Sequence, residues 1–218
     1  PGGGALAALE RIDVSALDPR LAQCRIEVAC DVDNPLTGPR GASAVFGPQK
    51  GASVEMVQAL DANLARFARI VERDLGVAVE AVAGAGAAGG MGAAMLAFFG
   101  ATLKPGIEIV TAAVGLDAHV RDADLVITGE GRIDFQTVHG KTPIGVARVA
   151  KRHGIPVIGI AGSLGADVGV VHAHGIDAVF SVLGKPCTLD EALHDAAANV
   201  ELTARNVAAV LRIGLARR

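Results

Sequence analysis

The segment richest in chemically active side chains reads TGEGRIDFQTVHGKT and spans residues 128–142. Arg132 and Lys141 carry positive charges, which neutralise phosphate oxygens. Glu130 and Asp134 carry carboxylates, the ligands that Mg²⁺ prefers. The segment therefore indicates an anion and magnesium site, to which a helix beginning near its end would add anion-attracting backbone amides. A solvated loop with internal ion pairs is the alternative.

The Gly140-Lys141-Thr142 end of this segment resembles the end of a phosphate-binding Walker A loop. That loop requires a glycine five residues before the glycine of its Gly-Lys pair. Phe135 occupies the corresponding position here. A standard Walker A loop is therefore excluded.

Asp31 and Asp33 follow an alternating run at residues 26–30 that predicts a strand. If the strand continues through both aspartates, their side chains point to the same side of it. The pair could then share a cation, or one carboxylate could act as a base toward a hydroxyl. The alternative is that Asp33-Asn34-Pro35 only starts a turn.

A glycine-rich run, GAGAAGGMG at 84–92, contains the pattern G-x-G-x-x-G of dinucleotide-binding loops. A nicotinamide site is disfavoured, because residues 77–82 are a weak strand and a helix and a proline-glycine turn stand where the second strand should be. Two hypotheses stay open for Gly84, Gly86 and Gly89. Their backbone amides could wrap a phosphate, or their small size could let helices pack closely.

Three short apolar runs in the second half of the chain, 125–128, 156–160 and 178–182, alternate with helical stretches. This order predicts a parallel sheet covered on both faces, which binds ligands at the carboxyl ends of its strands. The loops 129–142 and 162–167 are therefore candidate site loops. We expect the charged side chains of neighbouring strand ends to share one crevice.

Other elements follow from local signals. Residues 37–52 are rich in glycine and proline and predict a long loop, while 105–123 predict short helical pieces. Three longer helices are expected: one capped by Ser53 and closed by Gly76, one ending near Phe99, and one running from a Thr188–Glu191 capping box through Leu211.

The composition of the 218-residue chain is that of a globular protein, with 51% hydrophobic and 20% charged residues. A net charge of −3 with 3% aromatic residues argues against nucleic acid as a partner and favours small molecules. Residues 81–103 carry no charge, but their many glycines and alanines argue against a membrane span. Three cysteines without a paired pattern fit a reducing cytoplasm.

Taken in order, five of these motifs resemble the class of bacterial glycerate kinases that phosphorylate glycerate with ATP. The resemblance rests on DVDNPL (31–36), GPRGAS (38–43), FGPQKG (46–51), GAGAAGGMG (84–92) and the 128–141 segment. It implies an α/β fold with a Rossmann-like parallel sheet lobe and a second, inserted α/β lobe. It also implies a magnesium-dependent kinase that yields 2-phosphoglycerate or, as the alternative, 3-phosphoglycerate.

Within this expected fold and reaction, we assign residues to lobes and roles. Residues 1–115 are expected to belong to the inserted lobe and 116–218 to the Rossmann-like lobe. The expected catalytic residues are Asp31, Asp33, Arg132 and Lys141, and the expected magnesium ligands are Asp31, Asp33 and Glu130. The expected ATP-binding residues are Gly84, Gly86, Gly89, Gly90, Glu130, Asp134, Gln136 and Thr137.

Two segments typical of this family, Asp-Ser-Phe-Lys-Gly after a first strand and Gly-Gly-Ser-Ala-Thr-Asn-Asp-Gly-Gly, do not occur in this sequence. The chain therefore resembles the C-terminal portion of the family. A non-catalytic nucleotide- or anion-binding fragment and half of a split enzyme are the alternative interpretations. Association with an N-terminal complement or with itself is expected, because a small sheet leaves apolar surface exposed.

Overall fold

The computed structural model describes residues 2–216, which form two compact units that divide between Ile109 and Val110. Both units combine helices with parallel strands, so the predicted α/β class is confirmed. The expected lobe boundary after residue 115 stays a prediction.

The first unit contains a two-stranded parallel sheet in which Glu27 pairs with Thr102 and Ala29 with Lys104. The second strand of this pair was not anticipated. The elements are β1 (Glu27–Ala29), α1 (Ala42–Phe46), α2 (Val54–Leu75), α3 (Met91–Phe99), β2 (Thr102–Lys104) and α4 (Gly106–Ala113), which crosses the boundary between the units. The expectation of a plain loop over 37–52 is wrong, since α1 and a 3₁₀ turn at Pro48–Lys50 lie within it.

Helix α2 organises the first unit. The Ser53 hydroxyl accepts a hydrogen bond from the Met56 amide at 3.3 Å, and Gly76 ends the helix with a φ of 71°, as predicted. Its apolar face forms a core with side chains from the surrounding loops and α3. The buried members of this core are Leu36, Ala42, Leu64, Phe67, Ala68, Val71, Val79, Ala85 and Ala93.

The polar side of α2 holds the N-terminal segment in place. Arg66 donates from Nε to the carbonyl of Leu9 at 2.8 Å, and the Ile12 amide donates to the Asp74 carboxylate at 2.8 Å. Hydrogen bonds from Arg73 and from that amide lower the pKa of Asp74 to about 2. The carboxylate is therefore charged, and holds the segment, throughout the neutral range.

The second unit is built on a three-stranded parallel sheet in the order β3-β4-β5. Helix α6 packs on it through Ile144, Ala147 and Ala150, which are fully buried. The elements after α4 are α5 (Leu116–Arg121), β3 (Val126–Ile133), α6 (Thr142–Arg152), β4 (Val157–Leu164), β5 (Ala178–Ser181), α7 (Leu189–His194) and α8 (Ala196–Leu215).

Two predictions in this unit need correction. Strands β3 and β4 run past their apolar residues to Ile133 and Leu164, so much of 129–133 is strand and not loop. Gly129 makes the extension possible, because a Cβ there would lie 2.1 Å from the carbonyl oxygen of the paired Ile160. The single C-terminal helix is also wrong: the Thr188 capping box is present, but the helix breaks at Asp195.

Within residues 2–216, no helix has the length and apolar character needed to cross a membrane. The uncharged stretch 81–103 forms a turn-rich loop, helix α3 and the start of β2. The stretch is therefore not one continuous helix, as its glycines suggested.

We predict that Gly86→Ala destabilises the protein by about 2 kcal/mol, because an added Cβ would lie 2.3 Å from the carbonyl oxygen of Pro35 in a packed region. Gly4→Ala is the matched control, since a Cβ there meets no atom within 4 Å. Urea denaturation followed by circular dichroism measures both. Equal midpoints for the two variants would contradict the steric role of Gly86.

Candidate functional site

A buried threonine fixes two acidic side chains, one near the end of β3 and one just after it. The Thr137 side chain is fully buried, and its hydroxyl donates to Oε1 of Glu130 at 2.5 Å. The Thr137 hydroxyl oxygen also accepts the Asp134 amide at 3.1 Å, and Oδ1 of Asp134 accepts the Gln136 amide at 2.9 Å. These bonds close a 3₁₀ turn at Phe135–Val138 and hold both carboxylates in one arrangement.

The carboxylates of Asp134 and Glu130 differ in how many hydrogen bonds and ion pairs they form within the protein. Asp134 is 8% exposed and forms an ion pair with Nε of Arg132 at 3.2 Å. Glu130 is half-buried, and within residues 2–216 only the Thr137 hydroxyl donates a hydrogen bond to its carboxylate. Asp134 therefore orders the turn, whereas Glu130 retains a carboxylate oxygen that can bind a cation or a ligand.

Lys141 stands immediately before α6, where Pro143 occupies the first turn. Its side chain is exposed, and its ammonium group has no ion-pair partner in the described part of the chain. The exposed Arg132 guanidinium lies on the preceding strand. The second unit therefore presents one unpaired and one paired cation near a helix N-terminus, an arrangement that favours anions.

In the first unit, Asp31 and Asp33 are exposed and have different partners. Strand β1 ends at Ala29, so the condition under which both side chains would point to the same side, a strand that continues through both aspartates, is not met. Oδ1 of Asp31 accepts the Gly106 amide at the start of α4 at 2.8 Å, while Oδ2 of Asp33 pairs with Arg40 at 2.9 Å. Their catalytic and metal-binding roles stay predictions.

The amides of the four glycines expected to bind ATP are occupied within the loop. Those of Gly84 and Gly86 both donate to the carbonyl of Asn34, at 3.1 and 3.0 Å. Those of Gly89 and Gly90 donate to carbonyls of the same loop, each at 3.2 Å. Packing and hydrogen bonding within the protein thus explain the presence of these glycines. Their contact with a nucleotide stays a prediction.

Other amides of this loop are available to a ligand. Among the described residues, the amides of Ala88, Met91 and Gly92 donate to no protein acceptor, and the last two begin helix α3. Ala88 has a φ of 49°, which is uncommon outside glycine. No strand precedes the loop at 77–82, which removes the context that a nicotinamide-binding loop needs.

A cavity of about 370 Å³ lies in the first unit, against α1, α2 and the glycine-rich loop. Ser43, Gln49 and Lys50 are its polar lining residues, and Gly89 contributes backbone. None of these three side chains is among the residues predicted to bind a ligand. All three lie in the unusually long 37–52 segment and in the motifs GPRGAS (38–43) and FGPQKG (46–51) that carry the family resemblance.

No cluster of three or more histidine, cysteine or acidic side chains within residues 2–216 could hold a metal ion alone. A preformed, all-protein metal cage is therefore not part of the described structure. Mg²⁺ commonly binds through one or two carboxylates and the phosphates of a substrate. The free oxygen of Glu130 fits that mode of binding.

Comparison with known proteins identifies the family. The model of the glycerate kinase family matches residues 1–212. The chain belongs to the glycerate kinase family. This membership agrees with the resemblance carried by the five motifs.

Two bacterial members of the glycerate kinase family are similar to the chain over nearly its whole length. The glycerate 2-kinase of Escherichia coli K12 is 62% identical over 214 residues, and the glycerate kinase of Bacillus subtilis 168 is 57% identical over 213 residues. Each alignment covers 98% of this chain and 56% of the relative. A crystal structure assigned as glycerate kinase 2 of Salmonella typhimurium LT2 has a TM-score of 0.84 and 62% identity, covering 98% of this chain and 55% of that one. The chain thus spans little more than half the length of these relatives.

We predict that Thr137→Val lowers the free energy of unfolding by about 2 kcal/mol, because the near-isosteric valine loses the bond to Glu130 and leaves the Asp134 amide unpaired. Thr128→Val, at a half-buried position of β3, should change it by less than about 0.5 kcal/mol. Urea denaturation of both variants measures the difference. A Thr137 variant as stable as the Thr128 variant would show that the buried hydroxyl does not hold the turn.

Proposed function

We propose that this chain carries part of the active site of a glycerate kinase that transfers the γ-phosphoryl group of ATP to glycerate. Family membership and the names of the relatives support the reaction. The name of the 62% identical Escherichia coli relative, glycerate 2-kinase, supports 2-phosphoglycerate as the product.

The observation that carries this proposal is the polar cluster at the end of β3 and in the turn after it. Lys141 lacks an ion-pair partner among the described residues, and Arg132 is 65% exposed despite its pair with Asp134. In phosphoryl transfer the protein supplies positioning and charge neutralisation rather than covalent chemistry. We assign Lys141 and Arg132 to the phosphate oxygens or the glycerate carboxylate.

In the proposed step, a hydroxyl oxygen of glycerate bonds to the γ-phosphorus while the bond from that phosphorus to the β,γ-bridging oxygen breaks. ADP leaves, and the hydroxyl proton passes to a carboxylate. Asp33 and Asp31 are our candidates for this base, because both are exposed and each retains lone pairs beyond its observed hydrogen bond.

Glu130 is our candidate magnesium ligand in the second unit, and Asp31 and Asp33 are our candidate magnesium ligands in the first unit. When bound, the ion neutralises charge on the phosphate oxygens. The Thr137 hydroxyl fixes one oxygen of Glu130 and so orients the other. Gln136 and Thr137 contribute to the nucleotide site in this proposal by shaping the turn that carries these groups.

We also propose that the protein acts in the cytoplasm and associates with further polypeptide. The three cysteines are free, as expected in a reducing compartment. Helix α8 supports the association, because it exposes a set of large apolar side chains. They are Val200, Leu202, Val210, Leu211, Ile213 and Leu215. A second copy of the chain and an N-terminal complement are both compatible with this face.

Lys141→Gln should lower kcat/KM for glycerate phosphorylation by about 100-fold or more, because it removes a cation that stabilises charge in the transition state. The measurement is glycerate-dependent ADP release by the natural full-length polypeptide. Lys185→Gln is the control, since Lys185 is also exposed and lies outside the proposed site.

Near-normal turnover of the Lys141 variant would remove this lysine from the mechanism. Calorimetric titration with ATP distinguishes the kinase from a non-catalytic nucleotide-binding module. ATP binding without any glycerate-dependent ADP release from the unaltered protein would favour a non-catalytic nucleotide-binding module.

A further inference from the structure

The cavity of the first unit has the size and lining of a site for a mostly apolar group. Its volume of about 370 Å³ lies in the range of small-molecule pockets, roughly 300–1,000 Å³. Apolar side chains form most of the wall. They are Val32, Ala42, Phe46, Leu60, Leu64 and Ala88.

One buried hydroxyl in this wall lacks a partner. Ser43 is 6% exposed, and among the described residues its hydroxyl forms no hydrogen bond. Every fully buried side-chain polar atom in residues 2–216 does have a partner. The Ser43 hydroxyl therefore retains access to open space, and the open space beside it is the cavity that it lines.

The charge of the lining points to an anionic ligand. Lys50 is the only charged residue in the lining, it is exposed, and it has no ion-pair partner in the described part of the chain. Gly89 contributes backbone to the same cavity, and the amide of Ala88, another lining residue, is unused by the described protein groups. A ligand body in the cavity could therefore extend a negative group toward Lys50 and the Ala88 amide.

We propose that the cavity binds the nucleoside of the phosphoryl donor, an inference that rests on the proposed kinase function. The faces of the purine pack against Phe46, Leu60 and Leu64. Ser43 and Gln49 bond to polar edges of the base or ribose, and Lys50 meets the phosphates. Gly89 belongs to this site through its backbone in the lining.

Glycerate fits this cavity less well than a nucleoside does. Each of its carbons carries an oxygen, so apolar walls would remove its hydration without replacing the lost hydrogen bonds. The lining offers three polar side chains, and two of them are at the exposed end of the 37–52 segment. A planar purine ring can pack its faces against the apolar walls and form a hydrogen bond from its polar edge to Ser43.

Calorimetric titration of the 218-residue chain with adenosine and with ADP tests the assignment. Ser43→Leu fills the cavity and should weaken both ligands at least about tenfold, and the smaller change Ser43→Ala should weaken both by about fivefold through loss of one hydrogen bond. Lys50→Gln should weaken ADP about tenfold and leave adenosine within about twofold, since only ADP carries phosphates.

Lys185→Gln, at an exposed lysine outside the cavity, is the control and should leave both affinities unchanged. Circular dichroism establishes that each variant is folded. If the folded chain does not bind adenosine, or if Ser43→Ala and Ser43→Leu bind ADP as the unaltered chain does, the assignment is wrong. Glycerate binding that depends on Ser43 would also overturn it, and would make the cavity the acceptor site.

A different result would contradict the proposed kinase function. Adenosine and ADP binding that follows the predicted pattern, with no glycerate-dependent ADP release from the full-length protein, leaves the nucleoside site intact and rejects the kinase. Glycerate-dependent ADP release with nucleotide affinity insensitive to Ser43 and Lys50 rejects the site and leaves the kinase intact.

Discussion

The hydrogen bonds of one buried hydroxyl, that of Thr137, hold the polar cluster of the second unit together. By donating to Glu130 and accepting from the Asp134 amide, it places two carboxylates at fixed positions, one near the end of β3 and one just after it. Asp134 in turn pairs with Arg132. Because a preorganised charged site loses little energy on reorganisation, such an arrangement suits transfer of a highly charged phosphoryl group.

In the first unit a backbone carbonyl likewise connects two segments that carry candidate site residues. That of Asn34 accepts the amides of Gly84 and Gly86, which joins the aspartate-bearing segment to the glycine-rich loop. Close approach of the backbone explains Gly86, where a side chain would collide with Pro35. Unused amides then lie further along the loop, at Ala88 and the start of α3, and Ala88 lines the cavity that we assign to the nucleoside.

Local signals predicted much of the fold. The Ser53 cap and Gly76 delimit α2, and apolar runs mark β3, β4 and β5, because these signals act within a few residues. Strand β2 was missed because its three residues carry no periodicity. The polar ends of β3 and β4 read as loops, since only pairing with a neighbouring strand makes Glu130 part of the sheet.

The candidate site was less accessible to sequence reasoning than the fold. Residue types at 130, 132, 134 and 141 indicated anion chemistry, but the buried bond that makes Thr137 an organiser depends on tertiary packing. Occupied amides at Gly84 and Gly86, and a cavity that joins Ser43 to Ala88, likewise arise from segments far apart in the chain. The pattern alone could not separate glycines that contact a ligand from glycines that contact the protein.

The central claim is that the polar cluster held by Thr137 binds the phosphoryl donor of the proposed kinase. Amide NMR spectra of the ¹⁵N-labelled chain, recorded while MgADP is added, test it most directly. Resonances of residues 128–142 should shift along one saturation curve with a single dissociation constant, and Thr137→Val should raise that dissociation constant. Resonances of residues 128–142 that stay unmoved by MgADP would contradict the claim.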